Sequence, residues 1–326
     1  MLGRTGTLAK SAVAVAVLAG ALLLLFRSGS LPRADFVFVN STTPASLDPH
    51  KVTGTPEGRL LRALFEGLTI GDPATLAPRP GCAERWEVSA DGLVYRFFMR
   101  PGLQWSNGDP LNAHDFEWSW RRCLEPATAG KYVNLLWSVV GAREFNRGDI
   151  PWDQVGVRAI SDAVFEVRLA QPTPWFLSLT EFYPLFPLHR ASVEAAERDG
   201  VTFTSPERLI CNGPYLLAER WLRDRIRMVR NPKYWNVDTI SIETIDALAI
   251  ESDNTALNLF VAGEADWSGS HGDSASFSAM QNEYFDGCPC VERSSTPGAA
   301  PPMFNIANRT ARPMVALARC PGPNAP

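Results

Sequence analysis

The sequence predicts an α+β fold built around a mixed β-sheet. Three observations carry that reading. Alternating strand runs recur along the chain: in residues 93–100, Leu93, Tyr95, Phe97 and Met99 share one face while Arg96 and Arg100 share the other. Amphipathic segments with helix-start signals sit between such runs. The two kinds of element do not alternate regularly, so a doubly wound parallel sheet is not expected.

Taken in order, Phe36, Val37, Phe38, Val39 and Asn40 read as a first, largely buried strand. A helix follows over 55–67, with Thr55 as N-cap, Pro56 at the first helical position and Glu57 facing the positive helix end. Leu60, Leu61, Leu64, Phe65 and Leu68 make its apolar stripe, and Gly67 marks its stop. Trp86-Glu87-Val88 leads through a turn at 89–92 into the alternating strand. Asn107-Gly108 is a turn signal, and Asn112 with Asp115 forms a capping box opening a helix that carries Phe116, Ser119 and Trp120. Residues 155–169 read as a hairpin about Ser161-Asp162, with Phe165, Val167 and Leu169 facing in. An apolar, Pro-broken connector spans 175–188. A second hairpin turns at Arg223-Asp224, and a strand over 245–250 precedes a helix over 253–262. Trp86, Phe97, Phe165 and Leu217 are expected in the core.

The 326 residues suffice for two domains or one large one, and the net charge of −4 is spread without a basic face, which argues against nucleic acid as a partner. Residues 1–33 read as a signal peptide or membrane anchor: Arg4 and Lys10 precede an apolar run over 11–26. Sixteen helical residues reach about 24 Å, short of the ~30 Å hydrocarbon core, which favours export over a stable span. The expected location is therefore the periplasm or the outer face of the cytoplasmic membrane. Six cysteines, at 82, 123, 211, 288, 290 and 320, permit disulfides there. Neither the Cys288-Pro289-Cys290 spacing nor the four scattered histidines supports a metal site. No phosphate loop or nucleophile elbow occurs, so neither a cofactor nor an enzymatic activity is expected. Beyond Asp266 small residues, Pro and Cys dominate, and 269–326 reads as disordered.

Several blocks point more narrowly. Leu47-Asp48-Pro49-His50-Lys51, Gly54, Pro56-Glu57 and Leu64-Phe65-Glu66-Gly67-Leu68 are followed by Trp105-Ser106-Asn107-Gly108-Asp109-Pro110. Ser119-Trp120-Arg121-Arg122, Asn212-Gly213-Pro214-Tyr215, Arg230-Asn231-Pro232-Lys233-Tyr234-Trp235 and Gly263-Glu264-Ala265-Asp266 complete the set. Their order and spacing resemble the periplasmic oligopeptide-binding proteins that feed ABC importers, the extracellular solute-binding proteins of family 5.

That resemblance implies a periplasmic-binding-protein-like first lobe over 34–268, carrying an inserted smaller α/β subdomain at about 59–189. It implies a second lobe too, of which 269–326 would be a degenerate start, so a truncated member with impaired binding is expected. In the family a peptide lies extended and pairs with first-lobe backbone; the matching positions here are Thr53, Gly54 and Thr55. Tyr132 matches a family tyrosine that lines a side-chain pocket. Read from the residues alone, the first site is an ordinary loop-to-helix start, and Tyr132 is equally a half-buried structural tyrosine. The implied partners are oligopeptides and the permease subunits of an ABC importer, with the chain a monomer. The alternative is a membrane-anchored single-lobe protein-interaction module without a transport role.

Overall fold

Strand β1 (Phe36–Val39) is buried along its whole length, as a strand covered on both faces must be. The computed structural model describes residues 32–72 and 74–268. After β1 come α1 (Thr55–Leu64), β2 (Thr69–Gly71), β3 (Pro78–Pro80), β4 (Ala83–Val88), β5 (Val94–Met99) and α2 (Ala113–Leu124). Then follow α3 (Ala142–Arg147), β6 (Val157–Ser161), β7 (Val164–Arg168), α4 (Phe176–Leu179) and α5 (Arg190–Asp199). The described chain closes with β8 (Tyr215–Arg220), β9 (Arg225–Arg230), β10 (Thr244–Leu248), α6 (Asp253–Val261) and β11 (Trp267–Ser268).

The strands assemble in three sheets. The five-stranded sheet has the order β11-β1-β10-β9-β8, with β1 parallel to both neighbours and the other pairs antiparallel. It is the mixed sheet the sequence predicts, drawn from the start and end of the described chain. Asp35 pins its register: the carboxylate accepts from the Thr244 backbone N–H at 2.9 Å and hydroxyl at 2.8 Å. Arg227 and Asp246, opposite each other on β9 and β10, form a buried two-pronged pair at 2.7 Å on each prong. The four-stranded sheet, order β4-β5-β7-β6, and the β2–β3 hairpin lie in the chain between.

Phe97 and Phe165 pair across β5 and β7 and are fully buried. Trp120 meets Phe165 edge-on at 5.1 Å, so α2 seals that sheet with the Phe116–Ser119–Trp120 face expected of it. Leu217 is buried as well. Trp86 is not in the core proper: β4 is an edge strand, and the indole is half-buried against the cluster. The capping box of α2 forms as its spacing dictates. Cys82, Cys123 and Cys211 are buried free thiols. Burial pushes the Cys123 and Cys211 thiols up to about 12. The expectations for residues 1–31 and 269–326, including export, anchoring, disorder and the fate of Cys288 and Cys290, lie outside the described residues.

Two local details of α1 depart from expectation. Gly54, not Thr55, is the N-cap, and no side chain caps the helix. Gly54 has φ 113° and ψ 162°, a conformation open to glycine alone, and its C=O accepts from Gly58 N–H at 3.1 Å; Thr55 is thus already helical. The helix also stops at Leu64, three residues before Gly67. There the Asn212-Gly213 segment takes over its last groups: Gly213 N–H donates to Leu64 C=O at 2.9 Å, and Glu66 N–H donates to Asn212 Oδ1 at 3.1 Å. A Cβ at Gly213 would lie 2.6 Å from Leu64 C and Phe65 N, so only glycine permits this approach. Tertiary contact ended the helix before its own sequence did.

Candidate functional site: a backbone edge beside an aromatic wall

Thr53, Gly54 and Thr55 are all exposed, at the start of α1. Their backbone groups divide by residue. Gly54 is engaged through its C=O, which accepts from Gly58 N–H at 3.1 Å. Among the described residues, the N–H and C=O of Thr53 and the N–H of Thr55 make no hydrogen bond. The free Thr55 N–H is one of the unpaired donors of a helix start, and the Thr53 groups precede it on exposed chain. The run is three residues long, with unpaired groups at its two ends.

Beside the edge stands a wall of aromatic rings. Tyr132 meets Phe182 at 5.4 Å and Tyr183 at 6.0 Å, and Phe182 meets Tyr183 at 4.4 Å. The Arg62 guanidinium lies over the Phe182 ring at 6.0 Å. Burial lowers the Arg62 pKa and raises that of Glu181; each group partly offsets the shift of the other. Arg59, one turn earlier on α1, lies over Trp267 of β11 at 5.0 Å. Tyr132 thus packs on Tyr183, whose ring lies against Gly58 in the first turn of α1. Phe182, Tyr183 and Arg62 were missed from sequence. Their signal was the aromatic pair inside the 175–188 connector, which apolar composition alone assigned to packing.

A buried polar knot holds Tyr132 in place. Arg122 of α2 donates to Asp48 through two nitrogens, at 3.2 and 2.9 Å, and its Nη1 lies 3.0 Å from His50 Nδ1. Glu197 of α5 adds a contact to the same guanidinium at 3.3 Å. Burial, with Arg122 adding to it, drives the His50 pKa down to about 3, so the ring is neutral and its Nδ1 accepts from Arg122. Burial alone would raise the Asp48 carboxyl, but the Arg122 guanidinium and the His50 backbone N–H, which donates to Oδ1 at 3.1 Å, hold it below its usual value. The His50 C=O then accepts from Lys131 N–H at 2.9 Å, which fixes the residue preceding Tyr132. The Leu47–Lys51 and Ser119–Arg122 blocks are therefore one latch.

A second knot gathers three further blocks. Glu66, fully buried, accepts from the Tyr234 hydroxyl and from Trp235 Nε1 at 2.7 Å. Asn212 Nδ2 donates to Glu66 C=O at 2.9 Å, and Arg100 stacks over Trp235 at 3.8 Å. These blocks shape the scaffold; none of them reaches the exposed edge.

Residues 77–314 match the family described as bacterial extracellular solute-binding proteins, family 5 Middle. The match runs past Ser268 into the compositionally biased tail. The chain is 36% identical to the oligopeptide-binding protein OppA of Bacillus subtilis over 228 residues, 70% of this chain and 41% of that protein. It is 33% identical to the periplasmic oligopeptide-binding protein OppA of Escherichia coli over 279 residues, 83% of this chain and 50% of that protein. Among solved structures, the unliganded open form of the periplasmic murein tripeptide-binding protein MppA aligns with a TM-score of 0.73 at 31% identity, covering 78% of this chain and 48% of that one. Haemophilus influenzae OppA in complex with RPPGFSPFR gives 0.72 at 35% identity, covering 77% and 48%.

The fold is a lobe of a periplasmic binding protein. The chain belongs to the family 5 extracellular solute-binding proteins, and it spans about half or less of the length of the relatives it matches. That membership makes it a homologue of solute-binding receptors, several of them named as periplasmic.

Proposed function

We propose that this chain captures oligopeptides by backbone pairing and serves the permease of an ABC importer, with 59–189 as an inserted subdomain of the binding lobe. The observation that carries the reading is the exposed run at Thr53, Gly54 and Thr55, in which the Thr53 N–H and C=O and the Thr55 N–H make no hydrogen bond among the described residues. An extended peptide adds to such an edge through its main chain, which leaves its sequence largely unread. Tyr132 and Phe182 then meet whichever ligand side chain leaves the edge on that side.

Magnitudes bound the affinity of this face. Three backbone hydrogen bonds at about 0.5–1.5 kcal/mol each supply at most about 4.5 kcal/mol, near the millimolar level. Binding between two lobes buries most of a ligand, whereas one lobe leaves it open to water. Calorimetry of the 326-residue chain with a tri- to pentapeptide pool is expected to show weak, sequence-insensitive binding. Sub-micromolar affinity would overturn that expectation. At millimolar peptide, the amide resonances of Thr53 and Thr55 should shift; changes confined to other surfaces would remove this edge from the reading.

Two substitutions separate backbone pairing from side-chain preference. Gly54→Val is expected to abolish binding: it places a side chain on the edge, at a φ of 113° that valine does not tolerate, with its Cβ 2.6 Å from Glu57 Oε2. Tyr132→Ala is expected to change which peptides are preferred and to leave pool affinity within about threefold, on the scale of one half-buried contact. Equal losses for both variants would contradict the division of labour.

A further inference from the structure

We propose that Arg62 anchors a peptide carboxylate beside the edge, with the C-terminus of a short peptide as its source. The proposal rests on the receptor reading above. Arg62 is half-buried on α1, and among the described residues its guanidinium donates no hydrogen bond and forms no ion pair. Half-buried arginines elsewhere in the lobe are satisfied: Arg100, Arg158, Arg220 and Arg230 each donate to a backbone carbonyl. The Arg62 nitrogens are not sealed in either, since none stands among the buried polar atoms that lack a partner. A cation half out of water, open on one side and meeting no oxygen of the protein, fits an anion that a ligand brings.

Local packing turns the group toward the edge. Helical side chains lean toward the N-terminus, and a Cβ at Gly58 would lie 3.9 Å from Arg62 Nη1. Gly58 N–H in turn donates to Gly54 C=O, so the guanidinium stands at a level one helical turn (~5.4 Å) from Gly54. An extended peptide advances about 3.3 Å per residue, and its terminus reaches that level one or two residues past the edge. The Phe182 ring covers one face of the guanidinium at 6.0 Å, which leaves the in-plane N–H groups to grip both carboxylate oxygens. Glu181, whose charge Arg62 feels, forms no ion pair with it. Its carboxylate lies against Gly71 instead, where an added Cβ would meet Oε2 at 2.8 Å. A C-terminal carboxylate is common to all free peptides, so this contact leaves their sequence unread. An acidic side chain is the other source of the same group.

Trialanine and its C-terminal amide differ only in the carboxylate. Titrating each into the wild-type chain and into Arg62→Gln, with backbone amide resonances as the readout, isolates the contact. Wild type is expected to bind the acid three- to tenfold more tightly than the amide, between an exposed ion pair and a buried charge-assisted hydrogen bond. Arg62→Gln should erase that difference by weakening the acid alone, at an unchanged melting temperature, because no protein oxygen loses a donor. Arg62→Lys should keep part of it. The blocked peptides acetyl-Ala-Glu-Ala-amide and acetyl-Ala-Gln-Ala-amide test the other source. An Arg62-dependent preference for the Glu peptide, with none for trialanine over its amide, would overturn the terminal anchor and assign Arg62 to side chains. Equal binding of acid and amide within each pair, with the Thr53 and Thr55 resonances shifting, overturns the role of Arg62 and leaves the receptor reading standing. Equal losses of acid and amide in Arg62→Gln would make Arg62 a packing residue of the wall and overturn the proposal. A wild-type chain that binds none of the four peptides at millimolar concentration refutes the receptor reading, and the anchor with it.

Discussion

Arg122→Ala is expected to lower the free energy of unfolding by about 3–5 kcal/mol, the range for stranding one member of a buried ion pair. Asp48 is 4% exposed and Arg122 is 5% exposed, so the abandoned carboxylate has no water to turn to. The neutral His50 cannot replace the guanidinium without taking up a proton. Denaturant unfolding should show the midpoint falling at a constant slope. A double variant, Asp48→Leu with Arg122→Met, should regain much of the loss, because removing both charges spares the desolvation of either. A single variant within 1 kcal/mol of wild type would mean that water reaches the latch.

The same latch sets a pH dependence whose sign follows from His50. Its folded pKa is depressed to about 3 from an unfolded value near 6.5, so the unfolded chain binds the proton first. Stability is fully present above about pH 6.5 and declines as pH falls towards 3, at no more than about 1.4 kcal/mol per unit. His50→Gln should flatten that slope. A slope unchanged by the substitution would assign the acid sensitivity to other groups.

Trp120→Ala is the second large effect, expected at about 3–5 kcal/mol. The indole is fully buried, edge-on to Phe165 at 5.1 Å and to Phe176 at 6.4 Å, and its Nε1 donates to Leu185 C=O at 3.0 Å. Truncation therefore opens a cavity between α2 and the four-stranded sheet, and leaves a buried carbonyl without its donor. The Leu185 segment adjoins Tyr183 and Phe182, so the aromatic wall should loosen with it. Increased exchange in the 182–186 amides, alongside the lost stability, would trace that path. Trp120→Phe should recover part of the packing and none of the hydrogen bond.

Local pattern accounts for what was legible beforehand. The buried face of β5, the hairpin of β6 and β7, the capping box of α2 and the stripe of α1 depend on residues within a few positions of one another. Period and capping chemistry report such features directly. The spaced blocks identified the family, and with it Thr53, Gly54, Thr55 and Tyr132 as candidates. Sequence did not distinguish residues that touch a ligand from residues that build the lobe. Glu66, Asn212 and Tyr234 stand in the blocks that name the family, yet they meet one another in a closed knot joining positions up to 168 residues apart. Nothing local marks them as scaffold.

The sequence by itself determined the α+β class, β1, α1, α2, the two later hairpins, β10 with α6, and the glycine at the edge, because propensity, periodicity and turn chemistry are short-range; it did not mark α5 or the short strands β2, β3 and β11. Only the tertiary structure decided where α1 ends, and that Phe182 and Tyr183 stand beside Tyr132. Those outcomes depend on backbone and side chains meeting across tens to hundreds of residues: Gly213 on Leu64, His50 on Lys131, Tyr183 on Gly58. Long-range packing, in which one added methyl at Gly213 would meet backbone at 2.6 Å, leaves no trace in any window of neighbouring residues.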